Sequence, residues 1–146
     1  GIPGRAKAET TILKSNYRIE ISATQGEKKE RVGNVSTLTC SSKIELDGPM
    51  GEIAPGSLTL SGTLEELEDG KLLLHYTLGL TIPQASTTQS SFNGSKSSTG
   101  LVSNIQYRNF ASKGSVRIKP GRSYDLLRAG ESRYTISVTP EREDEE

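Results

Sequence analysis

The sequence predicts a single all-β domain built as an antiparallel sandwich. Apolar and polar residues alternate with a period of two along nearly every segment, and no segment shows the 3.6-residue period of a helix. Turn-forming Gly, Pro and Asp residues separate these segments. Only 32% of the residues are hydrophobic and Trp is absent. This lean composition suits two stacked sheets, which need one inward-facing residue in two.

Alternation predicts four strands in the first half of the chain, over 11–24, 35–47, 57–66 and 71–82. In the first strand Tyr17 and Ile19 share the apolar face. In the second strand the even positions are apolar, so we expect Cys40 to be a small buried residue on the same face as Leu38. Asp69-Gly70 lies between the third and fourth strands and is the strongest hairpin signal in the chain.

Four further strands are predicted in the second half, over 101–111, 115–119, 123–128 and 132–139. Turn residues are expected at Asp47-Gly48-Pro49, Pro55-Gly56, Lys113-Gly114, Pro120-Gly121 and Ala129-Gly130. Eight strands with short turns predict an immunoglobulin-like sandwich. A partly open barrel of the oligonucleotide-binding kind is the alternative.

The expected domain covers 10–140, with a flexible segment over 1–9 and a disordered acidic tail over 141–146. Residues 84–100 are rich in Ser, Thr, Gly and Asn, with Phe92 as the one large apolar side chain. Such a segment cannot bury enough surface to offset its ordering entropy, so we expect a mobile loop. Phe92 and its neighbour Asn93 are candidate binding residues, since long loops often carry function.

Composition excludes several classes of protein. With 18 basic and 18 acidic residues, the chain lacks the strong positive field of a dedicated nucleic-acid binder. A single cysteine allows neither an intrachain disulfide nor a cysteine-based zinc site. No apolar run approaches the ~18 residues of a membrane helix. Because the chain begins at Gly1 rather than Met, we interpret it as a processed or recombinant fragment whose targeting segment, if any, has been removed.

Catalysis is poorly supported by the residue types present. The one histidine, His75, lies on the strand face opposite Leu74 and Tyr76, and no nucleophile-elbow motif accompanies it. We therefore expect a protein that is not an enzyme and has no cofactor. Carboxylate-only chemistry stays open, because paired acids meet in space rather than along the chain.

Calcium binding also stays open. Glu45, Asp47 and Glu52 surround a Gly-Pro turn and could offer oxygen ligands, although their spacing matches no calcium loop. Acids at a solvated turn are the interpretation we prefer.

A second group of candidate binding residues combines basic and aromatic side chains: Tyr107, Arg108, Phe110, Arg117 and Lys119. Basic grooves with stacking aromatics bind single-stranded nucleic acid. The neutral net charge argues against that use, and Arg117 and Lys119 face away from Val116 and Ile118. We therefore expect no nucleic-acid partner, and we interpret these residues as a surface for protein contacts.

One resemblance bears on function. An Asp69-Gly70-Lys71 hairpin leads into the long strand LLLHYTLGLTI, a Ser/Thr-rich loop follows, and IQYRNFASKGSVRIKPGRSYDLL comes next. Over residues 57–128 this order resembles the β-domain of secretins from type IV pilus and type II secretion systems. Pro120-Gly121-Arg122 replaces the Gly-Gly-Leu ending of that family, so we do not expect a pore. The resemblance implies an envelope protein associated with pilus or secretion machinery, or a pilin-like module.

The leading hypothesis is a non-catalytic structural or adhesive module of a bacterial cell envelope, either periplasmic or at the cell surface. Its expected partners are proteins of a pilus or secretion assembly, bound through strand edges and end loops. Homo-oligomerisation is also plausible, since edge strands invite pairing. The alternative is a β domain that binds carbohydrate or single-stranded nucleic acid, although the absence of Trp weakens the case for carbohydrate.

Overall fold

The structure is a computed structural model, which describes residues 10–28, 30–50, 56–86 and 104–141. These residues form strands and turns without a helix, which confirms the predicted all-β sandwich. The eight strands are β1 Ile12–Gln25, β2 Glu30–Ser41, β3 Lys43–Met50, β4 Gly56–Glu66, β5 Leu72–Ser86, β6 Asn104–Ile118, β7 Ser123–Ala129 and β8 Ser132–Pro140.

The strands form two four-stranded antiparallel sheets. One sheet, called here sheet A, has the order β2-β1-β8-β7, and the other, sheet B, has the order β3-β4-β5-β6. Each strand therefore lies beside its neighbours in the chain, and β8 returns to pair with β1. This order is a meander wrapped into two layers. Immunoglobulin domains use Greek-key connections instead, so the resemblance to them is limited to the two packed sheets.

The core is aliphatic and lies between the two sheets. Alternate side chains of β1, including Ile19 and Ile21, are fully buried, as are Leu58 and Leu60 of β4 and Leu74 of β5. The period-two pattern in the sequence therefore identified the inward faces of these strands correctly. No polar or charged residue is buried in the described part of the chain. The thin, wholly apolar interior agrees with the low hydrophobic content of the sequence.

The predicted strand over 35–47 is wrong, because the chain bends at Ser42 and passes from sheet A to sheet B. The bend reverses the alternation: in β2 the buried residue is Val35, at an odd position, and Leu38 is 48% exposed. Cys40 is consequently half-buried rather than a core residue. Backbone hydrogen bonds hold the bend, from Ser42 N–H to the Thr11 carbonyl (2.9 Å) and from Leu64 N–H to the Ser42 carbonyl (2.8 Å).

Two predicted turns are strand interiors. Lys113-Gly114 lies within β6, which joins the predicted strands 101–111 and 115–119 into one element. Gly114 faces the core side, where a Cβ added to it would lie 3.5 Å from the hydroxyl oxygen of Tyr76 on the adjacent strand. The sequence Asp47-Gly48-Pro49 belongs to β3. The predicted loop 84–100 begins later than expected, since residues 84–86 belong to β5, and the rest of it lies outside the described residues.

Candidate functional site

Four strands form the edges of the two sheets, and two of them close against each other. β2 and β3 meet at the Ser42 bend, where the backbone hydrogen bonds described above link both sheets. Gly48 of β3 packs against the side chain of Val35 on β2. A Cβ atom placed on Gly48 would lie 3.1 and 3.2 Å from the two methyl carbons of Val35. Pro49 of β3 has no N–H to offer to another strand. We call this the closed side of the sandwich.

The third edge strand, β7, is protected differently. It has seven residues, and its pairing with β8 shifts register between Asp125 and Leu127. Such a bulge bends and twists a strand, which makes it a poor template for further pairing. A short, bulged edge of this kind is a common protection against association.

The fourth edge strand, β6, lacks these protections. It has 15 residues, about 50 Å of extended chain, and it pairs with β5 in unbroken register from Asn104 to Ile118. Its other side faces β7 across what we call the open side of the sandwich. There the two strands form no ladder and approach each other at few positions. A hydrogen bond between described residues spans them, from Ser112 Oγ to the Leu126 carbonyl at 3.4 Å.

Incompletely covered apolar side chains gather on this open side. Among the described residues, seven hydrophobic side chains pack against the core without being fully buried, and all but Val32 belong to β5, β6 or β7: Tyr76, Ile82, Phe110, Val116, Tyr124 and Leu127. On β6 the inward positions between Phe110 and Val116 are the small residues Ser112 and Gly114. The core is therefore thinnest along β6, where an added strand would cover apolar surface.

Three of the predicted binding residues lie in the first half of β6, on two different faces. Tyr107 points outward and is 54% exposed, whereas Phe110 points inward and is half-buried. The guanidinium of Arg108 lies 5.5 Å from the centre of the Phe110 ring, within the range of a cation–π contact. Arg108 is exposed at the rim of the open side, where its guanidinium contacts the half-buried ring of Phe110.

The structure does not bring the predicted basic and aromatic residues into one groove. Arg117 lies ten residues from Tyr107 on the same strand, which is about 33 Å. Lys119 follows the end of β6 and donates its backbone N–H to Tyr124 Oη at 2.7 Å. Because Phe110 faces away from Arg117 and Lys119, stacking of nucleic-acid bases alongside these cations is not favoured. Phe92 and Asn93 lie outside the described residues.

A feature that the sequence reasoning missed is the single sign of charge on β6. The strand contains Arg108, Lys113 and Arg117 and no Asp or Glu, whereas β2, β3 and β7 each mix acids and bases. An acid whose charge interacts with β6 is Asp69, in the turn before β5. Its backbone hydrogen bond with Lys71 is the main cause that lowers the pKa of its carboxyl, and the charge of Arg117 adds a smaller effect. Nothing in the one-dimensional pattern identified β6 as an edge.

The remaining sequence candidates show no catalytic or metal-binding arrangement in the part of the chain that the structure describes. His75 is exposed on the outer face of sheet B, and its Nδ1 lies 2.6 Å from Ser115 Oγ on the neighbouring strand. Glu45 and Asp47 are exposed positions of β3, and Glu52 lies outside the described residues. No cluster of three His, Cys, Asp or Glu side chains suited to a metal ion occurs among the described residues.

A cleft of about 770 Å³ lies beside the closed side, lined by Thr11, Ser42, Thr63 and Glu66 among others. The Glu66 carboxylate accepts hydrogen bonds from Tyr17 Oη (2.8 Å) and from the Lys14 N–H (2.9 and 3.2 Å). Burial and the bond to Glu66 raise the pKa of Tyr17 to about 12. Because these partners already occupy the carboxylate, we interpret Glu66 as a structural link between β1 and β4.

Comparison of the chain with protein-family models, with curated proteins and with solved structures finds no match. The described residues contain no helix that could cross a membrane. The site is therefore interpreted from its own geometry.

Proposed function

We propose that this chain is a non-catalytic interaction module that takes an extended segment of a partner protein as an added strand along β6. The observation that carries the proposal is the continuous 15-residue edge of β6, which pairs only with β5 among the described strands, set beside three edges that are closed, bulged or interrupted by proline. Strand addition uses the free backbone N–H and C=O groups of such an edge for affinity and alternate side chains for specificity.

The apolar side chains of the open side support the same proposal. An added strand beside β6 would place every second side chain over Phe110, Val116 and the small residues between them. Burial of apolar area stabilises a complex by about 25 cal/mol per Å² before ordering costs. Backbone hydrogen bonds to β6 and burial of apolar surface would both stabilise the complex.

The setting that we infer is a pilus or secretion assembly of a bacterial cell envelope, periplasmic or at the cell surface. This part of the proposal rests on the resemblance of residues 57–128 to secretin β-domains. A carbohydrate platform is less favoured, because Tyr107 is the one aromatic side chain among the large exposed hydrophobic residues of the described part.

Amide hydrogen exchange tests the strand-addition proposal directly. In the free chain every second amide of β6 points away from β5, so these amides should exchange quickly while their neighbours in the ladder are protected. A nine-residue peptide of alternating Val and Thr or Gln, added at millimolar concentration to the ¹⁵N-labelled protein, should protect the fast set. Amides of β7 should change less.

The matched control is the same peptide with alternate backbone nitrogens methylated along its pairing edge. It keeps the side chains and cannot form the ladder, so β6 amides should stay unprotected. If both peptides have the same effect, or if neither protects β6, strand addition is wrong.

A further inference from the structure

We propose that the segment bound by β6 is acidic, with carboxylates on the side-chain face that lies beside Lys113 and Arg117. This inference rests on the proposed function and adds the chemistry of the partner. The observation behind it is that β6, which pairs only with β5 among the described strands, carries three cations and no acid.

The placement of the cations sets the spacing of the acids. Lys113 and Arg117 both lie on the outer face of sheet B, four positions apart, and both are exposed. Directly opposed residues of adjacent strands lie about 5 Å apart and interact. A partner strand in either direction therefore meets both cations with carboxylates at positions i and i+4. The ion pairs among the described residues do not involve Lys113 or Arg117.

The inner face adds a second requirement. The partner residues that alternate with the carboxylates point toward the open side, over Phe110 and Val116 and above the gap at Ser112 and Gly114. Branched apolar side chains suit these positions, because small residues on β6 leave room for larger ones on its neighbour. The expected motif is an extended segment in which apolar residues alternate with polar ones and two of the polar residues are acids.

The same charges oppose pairing of β6 with a second copy of itself. A β6–β6 ladder supplies no carboxylate to balance these cations, and registers that place Lys113 opposite Lys113 or Arg117 of the second copy bring cations directly together. Like charges placed opposite each other destabilise a strand pair. An acidic partner is therefore favoured over a symmetric dimer through this edge.

The experiment compares three nine-residue peptides that differ at two positions. Val occupies positions 2, 4, 6 and 8, Thr occupies 1, 5 and 9, and positions 3 and 7 are both Glu, both Gln or both Lys. At low salt the Glu peptide should bind about 3- to 10-fold more tightly than the Gln peptide, and the Lys peptide should bind most weakly. This difference should shrink at 1 M salt, where the screening length is about 3 Å.

Paired variants locate the effect on β6. The double variant Lys113→Gln/Arg117→Gln should lose the preference for Glu while still binding the Gln peptide. The control Arg31→Gln/Lys43→Gln removes the same charge from exposed positions of β2 and β3, on the closed side, and should keep the preference. The peptide series on the unmodified protein tests the proposal even if a variant does not fold.

The outcomes separate this inference from the proposed function. Equal protection of β6 by the Glu and Gln peptides would leave strand addition intact and overturn the acidic preference, whereas no protection by any peptide would overturn both. Concentration-dependent protection of β6 in the free chain, with a dimer in sedimentation, would favour self-pairing instead. Tighter binding of a thymidine oligonucleotide at Lys113 and Arg117, without amide protection, would favour nucleic acid and overturn the proposal.

Discussion

Replacement of Gly62 by Ala should test the close approach of β4 and β5. Gly62 lies in the middle of β4, opposite Tyr76 of β5. A Cβ added there would collide with the His75 carbonyl oxygen and would lie 2.9 Å from the carbonyl carbon and 3.0 Å from Tyr76 Cα. These are backbone atoms, so no side-chain rotation relieves the collision.

The structure gives the size of the effect. Carbon atoms pack best at about 3.5–4.0 Å, so β4 and β5 must separate locally by about 1 Å. A ladder hydrogen bond of about 2.9 Å would then exceed the useful limit of about 3.5 Å. Loss of one or two such bonds, together with strain, should cost about 2–4 kcal/mol of the free energy of unfolding. For a domain of this size the melting temperature should fall by about 8–15 °C.

The assay is urea unfolding followed by far-ultraviolet circular dichroism, with Gly114→Ala as the matched control. Gly114 is also an inward-facing strand glycine, but an added Cβ there would be 3.5 Å from Tyr76 Oη, an ordinary contact. The control should be neutral or more stable by up to about 1 kcal/mol, because alanine reduces the entropy of the unfolded chain. If Gly62→Ala changes stability by less than about 0.5 kcal/mol, the close approach of β4 and β5 is refuted.

Two further predictions concern the closed side and the outer face of sheet A. Tyr17→Phe should cost about 1 kcal/mol by removing the bond to Glu66. The folded-state pKa of Tyr17, about 12, lies above the ordinary value of 10.0, so its contribution should be complete below pH 10 and lost as the pH rises toward 12. Urea unfolding from pH 8 to 12 should therefore show a steeper alkaline loss for the unmodified protein than for the variant, and equal slopes would contradict the assignment. Leu38→Thr should change the free energy of unfolding by less than about 0.5 kcal/mol, because Leu38 is exposed. Val35→Ala should cost about 1–3 kcal/mol, because Val35 is buried. If urea unfolding shows the larger loss for Leu38→Thr, the inward and outward faces of β2 are misassigned.

The alternation of apolar and polar residues predicted strands well where the apolar residues stay on the odd positions, or on the even positions, along the whole strand. The inward positions of β1 and β4 were correct because Ile19, Ile21, Leu58 and Leu60 alternate with polar residues in an unbroken register. Alternation failed at Ser42, where the phase reverses without Gly or Pro. Hydrogen bonds to Thr11 and Leu64, distant in sequence, make that bend, and no local signal reveals them.

Glycine misled the prediction of β6 for a related reason. Lys113-Gly114 reads as a turn, but Gly114 lies opposite Tyr76 within an unbroken ladder between β5 and β6. The location of the candidate site could not be predicted from the sequence either. The predicted strand 101–111 placed Tyr107, Arg108 and Phe110 in one segment, and the structure places all three in β6. Their position on an edge strand depends on the order of strands in the sheet. That order is set by pairings between distant residues, which composition and spacing do not encode.

The asymmetry between the closed and open sides limits the size of the assemblies that the described sheets can build. Growth of a continuous sheet from molecule to molecule requires two usable edges on each molecule, and here Pro49, the Ser42 bend and the bulge of β7 leave one. A molecule with one edge strand available for pairing can add to the end of another protein's sheet or bind one partner. It cannot form a fibre by itself, because the sheet cannot continue beyond it. This property would let a strand-binding protein be concentrated without polymerising.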